Sequence, residues 1–312
     1  MVPFRPHRAW PQVLLALALS ASLPAAADDS SAEDGPAATV DEPAVHAGLT
    51  WDPRYHQFRP WQYGTVGVLA VIVPLGGFLP MASSPRWQKP ILFDAPLRDL
   101  LLADTFAARE DIADISDIVL LVTIAVPLVV DPLVVAWGLG GRPDVAWQMF
   151  AIGAQSMVLT GLVTIASKKL ADRERPFVEP CESDADHSSS CGSDKQYESF
   201  WSGHSSNVFT AAGVNCAHHE ALGLYGGGAW DDVACWTGIA AATAVGTFRV
   251  VSDRHWSTDV LAGAVVGLAS GYLVPKALHY GFRRKGGEER AVVLVVPALG
   301  GGRVALSATG RF

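Results

Sequence analysis

Apolar and polar positions alternate along this chain on the scale of whole helices. Residues 63–80, YGTVGVLAVIVPLGGFLP, are apolar but interrupted by glycines and prolines. In 91–117 leucines and alanines recur at helical spacing among acids and arginines, which predicts an amphipathic helix lying along a surface or interface. The segment 118–139 is the most hydrophobic and is long enough to cross a bilayer. Asp131 inside it is either a paired polar residue or close to a helix end, and Pro132 predicts a kink. Further helices are expected over 145–166, 205–219, 233–249 and 258–279. The later ones are rich in Ala, Gly, Ser and Thr, which allow close helix approach as in membrane bundles. The pattern predicts an all-α, membrane-embedded helical bundle of about six helices; a tight soluble bundle fits the same composition. Beyond it, the β-branched run Val292–Val296, the glycines 300–302 and partial alternation over 303–311 predict a short C-terminal β-hairpin.

The N-terminus has a different character. Arg5, His7 and Arg8 precede an apolar run at 13–23, and three alanines at 25–27 end at Asp28. Charged start, short core and small-residue site predict a cleaved signal peptide over 1–27, the run being shorter than a membrane span needs. Residues 28–60 then read as a disordered acidic linker, 61–114 as accessory hydrophobic and amphipathic helices, 115–279 as the helical bundle and 280–312 as a tail with the hairpin.

Composition narrows the function classes. Of 312 residues 50% are hydrophobic and 17% charged, below the roughly 25% of soluble domains. A net charge of −8 argues against nucleic acid as a partner. Cys181, Cys191, Cys216 and Cys235 form no CxxC pair, which argues against zinc or thioredoxin chemistry. An even count in an exported chain favours two disulfides. Cys181–Cys191 with Cys216–Cys235 is the short-loop pairing, although sequence alone leaves connectivity open.

Three polar clusters sit at the ends of the predicted helices. "KKLADRERP" carries Lys168 and, seven residues on, Arg175, with Pro176 expected to stop the helix. "FWSGHSSN" carries Ser202, Gly203 and His204. "FRVVSDRHWSTD" carries Arg249, His255 and Asp259. In an up-down bundle with short connections all three fall at one end, which concentrates positive charge that calls for an anion. Lys168, Arg175 and Arg249 suit the non-bridging oxygens of a phosphoryl group, and Ser202 with the Gly203 amide adds donors at a helix start. His255 could attack phosphorus, Asp259 hold the proton on its other ring nitrogen, and His204 protonate the leaving oxygen. No metal or cofactor is required. Each cluster alone would be bland: an interfacial lysine pair, a helix terminator, a capping histidine, an i,i+4 pair. Their joint arrangement favours a shared anion site.

The three clusters resemble the signature of the type 2 phosphatidic acid phosphatase superfamily, shared with vanadium haloperoxidases: K-x6-RP, then PSGH, then SR-x5-H-x3-D. The resemblance covers roughly 115–279. Trp201 stands where the family usually has Pro, and Phe248 where it usually has Ser; Trp201 could form an aromatic wall of the pocket. The resemblance implies a metal-independent phosphatase acting on a phosphomonoester or pyrophosphate, of a phosphatidic acid-like or isoprenyl lipid, through a phosphohistidine. The alternatives are a vanadate-dependent haloperoxidase and a catalytically inactive phosphate- or lipid-binding protein. The expected partners are a lipid phosphate and the membrane, with no nucleic acid and no obligate protein partner.

His218, His219, Asp231 and Asp232 lie at the opposite end and read as a helix connection rather than a metal site. The acidic stretch 180–199 reads as a solvated loop over the pocket. The expected location is the cell envelope, in a bacterial inner membrane with the site facing the periplasm, a soluble periplasmic bundle being the alternative.

Overall fold

The computed structural model describes residues 49–78 and 84–282, and the backbone of two strands at 294–300 and 303–309. The expected signal peptide and residues 28–48 of the expected linker lie outside the described residues. Residues 49–59, placed above in the linker, instead pack on the bundle. Leu49 and Phe58 are buried, and Arg142 donates to the Leu49 carbonyl at 2.6 Å. The apolar side chains of this segment outweigh its loop-like polarity.

Among the described residues there are eight α-helices rather than about six. They are α1 (Pro60–Gly77), α2 (Asp94–Leu101), α3 (Phe106–Ala125), α4 (Pro143–Ala171), α5 (Val178–Ser183), α6 (Gly203–Leu222), α7 (Ala229–Val251) and α8 (Ser257–Leu268). The single amphipathic helix expected over 91–117 is broken. α2 ends at Leu101, and Thr105 restarts the chain as an N-cap, accepting from the Ala108 amide at 3.2 Å. α3 then runs without interruption into wide, π-type turns over Val126–Leu139, where Pro127 and Pro132 cannot donate to the helical ladder. The boundary expected at 117/118 therefore does not exist. α8 continues in similar wide turns over Ala269–Leu273 and Lys276–Tyr280. The strands Leu294–Gly300 and Arg303–Thr309 pair antiparallel only with each other.

α6 is the axis. Val208, Ala211, Ala212, Val214 and Ala217 are buried along it, and it touches α3, α4, α7 and α8. α8 and its continuation approach it closely, with Gly263, Gly267 and Gly271 recurring every four residues. A Cβ at Gly263 would lie 2.7 Å from the Ser202 carbonyl, and one at either of the other two would also meet α6 backbone. Only glycine allows this approach, which presses the start of α8 onto the start of α6. Four helical stretches, Phe106–Leu139, Pro143–Ala171, Ala229–Val251 and Ser257–Tyr280, are long and apolar enough to cross a membrane. α1 is not among them. Both short-loop disulfides are present, Cys181–Cys191 across the loop after α5 and Cys216–Cys235 between α6 and α7.

Candidate active site

The three polar clusters meet where α4 and α7 end and α6 and α8 begin. α4 extends past the expected 166 and carries Lys168 within its last turn. It stops at Asp172, whose left-handed backbone (φ 40°) closes the helix with its amide on the Lys168 carbonyl. The stop comes four residues before Pro176. The next segment is stitched to the loop over the pocket. Ser199 donates its amide to the Arg173 carbonyl at 3.0 Å, and Arg175 donates its amide to Gln196 at 2.8 Å. The Ser202 amide donates to the Asp259 carbonyl at 3.1 Å, locking α6 to α8.

Ser202, not His204, is the cap of α6: its hydroxyl accepts from the Ser205 amide at 3.3 Å. That leaves the His204 side chain for other work, half-buried at the pocket wall. Lys168 reaches the same helix start. A Cβ added to Gly203 would sit 3.8 Å from its ammonium, so the glycine keeps the helix N-terminus open beside a cation, an arrangement suited to an anion. Trp201 is folded back onto α4, donating its indole N–H to the Thr164 hydroxyl at 3.0 Å and its amide to Ser167 at 3.1 Å.

Arg175 is buried and bonds no carboxylate; its guanidinium donates to the carbonyls of Arg254 (3.3 Å) and Glu198 (3.4 Å). Burial lowers its pKa to about 10, against the attraction of Glu198. Arg249 donates to the Ser116 hydroxyl at 2.9 Å and to Asp117 at 3.2 Å. Lys168 has Glu198 at 3.6 Å. The Nε donors of Arg175 and Arg249 have no acceptor among the described residues. Arg175 and Arg249 thus keep donor capacity that the described residues do not use.

His255 is 2% exposed. Its Nδ1 lies 2.9 Å from the Ser199 carbonyl; a carbonyl can only accept, so Nδ1 carries the proton and Nε2 the lone pair. Burial, and then the charges of Arg175, Arg249, Lys168 and His204, push its pKa well below the ordinary histidine value. The same four groups that would grip an anion therefore keep the imidazole neutral.

The expected bond from Asp259 to His255 is not made. The Asp259 carboxylate is 3.8 Å from Nδ1 and spends its lone pairs elsewhere. It accepts from Arg173 at 2.6 Å, from the Ser199 hydroxyl at 2.5 Å and from the Trp256 amide at 3.0 Å. The last bond caps α8, which displaces the carboxylate from the imidazole.

Several residues of the site carried no motif. Asp117 on α3 accepts from His204 Nε2 at 2.7 Å and from Arg249, joining the two sides of the pocket. Glu110 on α3 holds Arg254 at 2.8 Å and Ser189 of the loop. His187 is anchored to Asp253 at 2.8 Å and Cys181 is joined to Cys191, so the stretch 180–199, exposed over residues 182–186, is a solvated loop fastened at several points. At the opposite end His219 lies 2.7 Å from Asp231 and 3.4 Å from Asp131. Among the described residues no group of His, Cys, Asp and Glu could hold a metal ion.

A relative is the lipid A 1-phosphatase of Porphyromonas gingivalis, 28% identical over 203 residues, which are 62% of this chain and 38% of the relative. The chain thus spans well under half the length of that protein. No solved structure matches the chain. Residues 149–283, from within α4 to just past Gly281, match the model of the PAP2 superfamily, and the three motifs that this segment carries are the ones gathered where α4 and α7 end and α6 and α8 begin.

Proposed function

We propose that this protein is a phosphatase that hydrolyses a lipid phosphate through a phosphohistidine. The observation that carries the reading is the state of His255. Its Nδ1–H is committed to the Ser199 carbonyl, which leaves the Nε2 lone pair, and its imidazole lies in the field of Lys168, Arg175, Arg249 and His204. In the first step Nε2 attacks phosphorus and the bond to the leaving oxygen breaks. His204, held by Asp117, gives that oxygen its proton. In the second step His204 accepts a proton from water, the water oxygen bonds to phosphorus and the N–P bond breaks, returning His255 and releasing phosphate. Lys168, Arg175, Arg249 and the α6 N-terminus offset the charge on the equatorial oxygens in both transition states.

The lipid part rests on the apolar helices around the site and on the named activity of the relative. A phosphatidic acid-like, isoprenyl or lipid A phosphate each offers a phosphomonoester or pyrophosphate on a membrane anchor. We place the site on the periplasmic face: the sequence has Arg283, Arg284 and Lys285 soon after the last apolar stretch, and basic residues stay in the cytoplasm. Phosphate release from these three lipids in detergent micelles, by wild type and His255→Ala, tests the reading. Release by wild type and none by the variant is expected; no release from any of the three by wild type overturns it. Reporter fusions after residues 110, 141 and 190 test the orientation.

A further inference from the structure

A second buried ionic group lies directly behind the nucleophile and takes no part in gripping an anion. Arg173 is fully buried. It donates to Asp259 at 2.6 Å, to Asp94 at 2.6 Å and to the Thr258 hydroxyl at 2.8 Å, with its guanidinium 3.9 Å from the centre of the Trp87 ring. Asp94, also fully buried, accepts in addition from the Ile91 amide, the Ser257 hydroxyl and both the amide and hydroxyl of Thr258. Burial alone would raise its pKa, but these amides and Arg173 hold it below the ordinary carboxylate value. Asp94 and Trp87 come from the segment before α3, outside residues 149–283.

We propose that Arg173 is a positioning residue that holds the Asp259 carboxylate off His255, so that the nucleophile stays bonded to the neutral Ser199 carbonyl, with Asp94 as the counter-charge of Arg173. This rests on the phosphohistidine reading of the site. Asp259 is 3.8 Å from Nδ1, within reach of a direct ion pair after a small side-chain rotation. What prevents that rotation is the pull of Arg173 on one oxygen and of Ser199 and the Trp256 amide on the other. A carboxylate at Nδ1 would stabilise the imidazolium and tie up the Nε2 lone pair. The charged groups facing His255 are Lys168 from α4, Arg175 after it, His204 from α6, Arg249 from α7 and Asp259 from α8. Asp259 alone among them favours protonation, so where its charge rests decides the balance. The buried trio Asp94, Arg173 and Asp259 carries one net negative charge; neutralising Arg173 and neutralising Asp94 change the field at His255 with opposite signs.

The test is the acid limb of the pH profile of kcat/KM on a soluble phosphomonoester, which reports the free-enzyme nucleophile. Arg173→Gln removes the restraint and a positive charge. Its limb should move to higher pH by about one unit or more, the usual effect of an opposite charge brought within contact. Asp94→Asn leaves Arg173 to Asp259 alone and removes a negative charge, so its limb should move to lower pH. A purely structural role scales activity without moving the limb; unmoved limbs, or shifts in the same direction, overturn the inference. If Arg173→Gln does not fold, Asp94→Asn decides by itself, and a limb that fails to move down overturns the inference. Turnover retained by His255→Ala would instead contradict the reading of the site, whereas an inactive His255→Ala with unmoved limbs contradicts only the role given to Arg173.

Discussion

The two ends of the α6 axis hold similar side chains in opposite electrical states. At its C-terminal end His219 lies between Asp231 and Asp131, and Tyr225 donates its hydroxyl to Asp131 at 3.0 Å. The amides of Tyr225 and Gly227 complete the bonding of Asp231, and His218 meets the Tyr280 hydroxyl at 2.7 Å. Each carboxylate there is bonded by donors that the protein itself supplies. At the N-terminal end Lys168, Arg175, Arg249 and His204 surround His255; Glu198 and Asp117 are in reach of these groups, and Asp259, 3.8 Å from His255, is bonded to Arg173. Buried polarity alone therefore does not mark a site in this molecule; buried cations that converge with donors left over do. A cluster whose carboxylates are bonded from within fastens helices, whereas one with spare cationic donors favours an anionic ligand.

That contrast can be broken most directly by removing charge at each end. Lys168→Met should lower kcat/KM on a lipid phosphate by about 10²–10³-fold, the usual loss of one preorganised charge partner. The same change should raise the melting temperature, because it relieves crowding among like charges. A melting temperature that falls would contradict the account of an electrostatically loaded pocket.

His204→Ala separates chemistry from capping. General acid help is typically about 10²–10⁴-fold, so turnover should fall by that order with an alkoxide leaving group. With p-nitrophenolate, which departs without a proton, the loss should be small. Because Ser202 caps α6, the melting temperature should barely change. An equal loss for both leaving groups, tracking lowered stability, would return His204 to a structural role.

At the opposite end Asp231→Ala should destabilise by about 3–5 kcal/mol, as when a buried ion pair loses one partner. Activity per folded molecule should stay near wild type, measured by normalising turnover to the folded fraction. A changed KM would mean that the two ends are coupled.

The smallest effect concerns acid. His255 has a folded-state pKa below its unfolded value of about 6.5, so the folded protein binds fewer protons. Its contribution to stability is present above about pH 6.5 and is lost as pH falls below it. A melting temperature that drops between pH 7 and 5 in wild type, and less in His255→Ala, is expected. Vanadate, an anion, should raise the wild-type melting temperature at fixed pH.

The three clusters and their meeting at one end were legible because each residue type sits at a helix terminus with a fixed spacing. The helical class followed from long apolar segments. What remained hidden has physical causes. The break between α2 and α3 depends on Thr105 capping in a stretch whose apolar rhythm continues through it. Asp117 and Glu110 lie in that amphipathic stretch and look like a solvated face; only the packing of α3 against α6 and α7 brings Asp117, still exposed, to His204 and Arg249, and Glu110 to Arg254. The i,i+4 spacing of His255 and Asp259 suggested a direct bond, but the Asp259 oxygens are taken by Arg173, Ser199 and the α8 cap. Arg173 sits inside a spacer, where nothing in the local sequence separates it from a surface arginine.

The central claim is that His255 Nε2 becomes covalently bonded to phosphorus. Rapid acid-free quenching of a turnover on a radiolabelled phosphomonoester, followed by denaturing separation, measures that bond. The account predicts a labelled wild-type chain whose label is lost in acid and stable in base, as an N-linked phosphate is, with no label on His255→Ala. A wild-type chain that turns over substrate yet never carries label in a quench-flow time course, or an equally labelled His255→Ala, would contradict it.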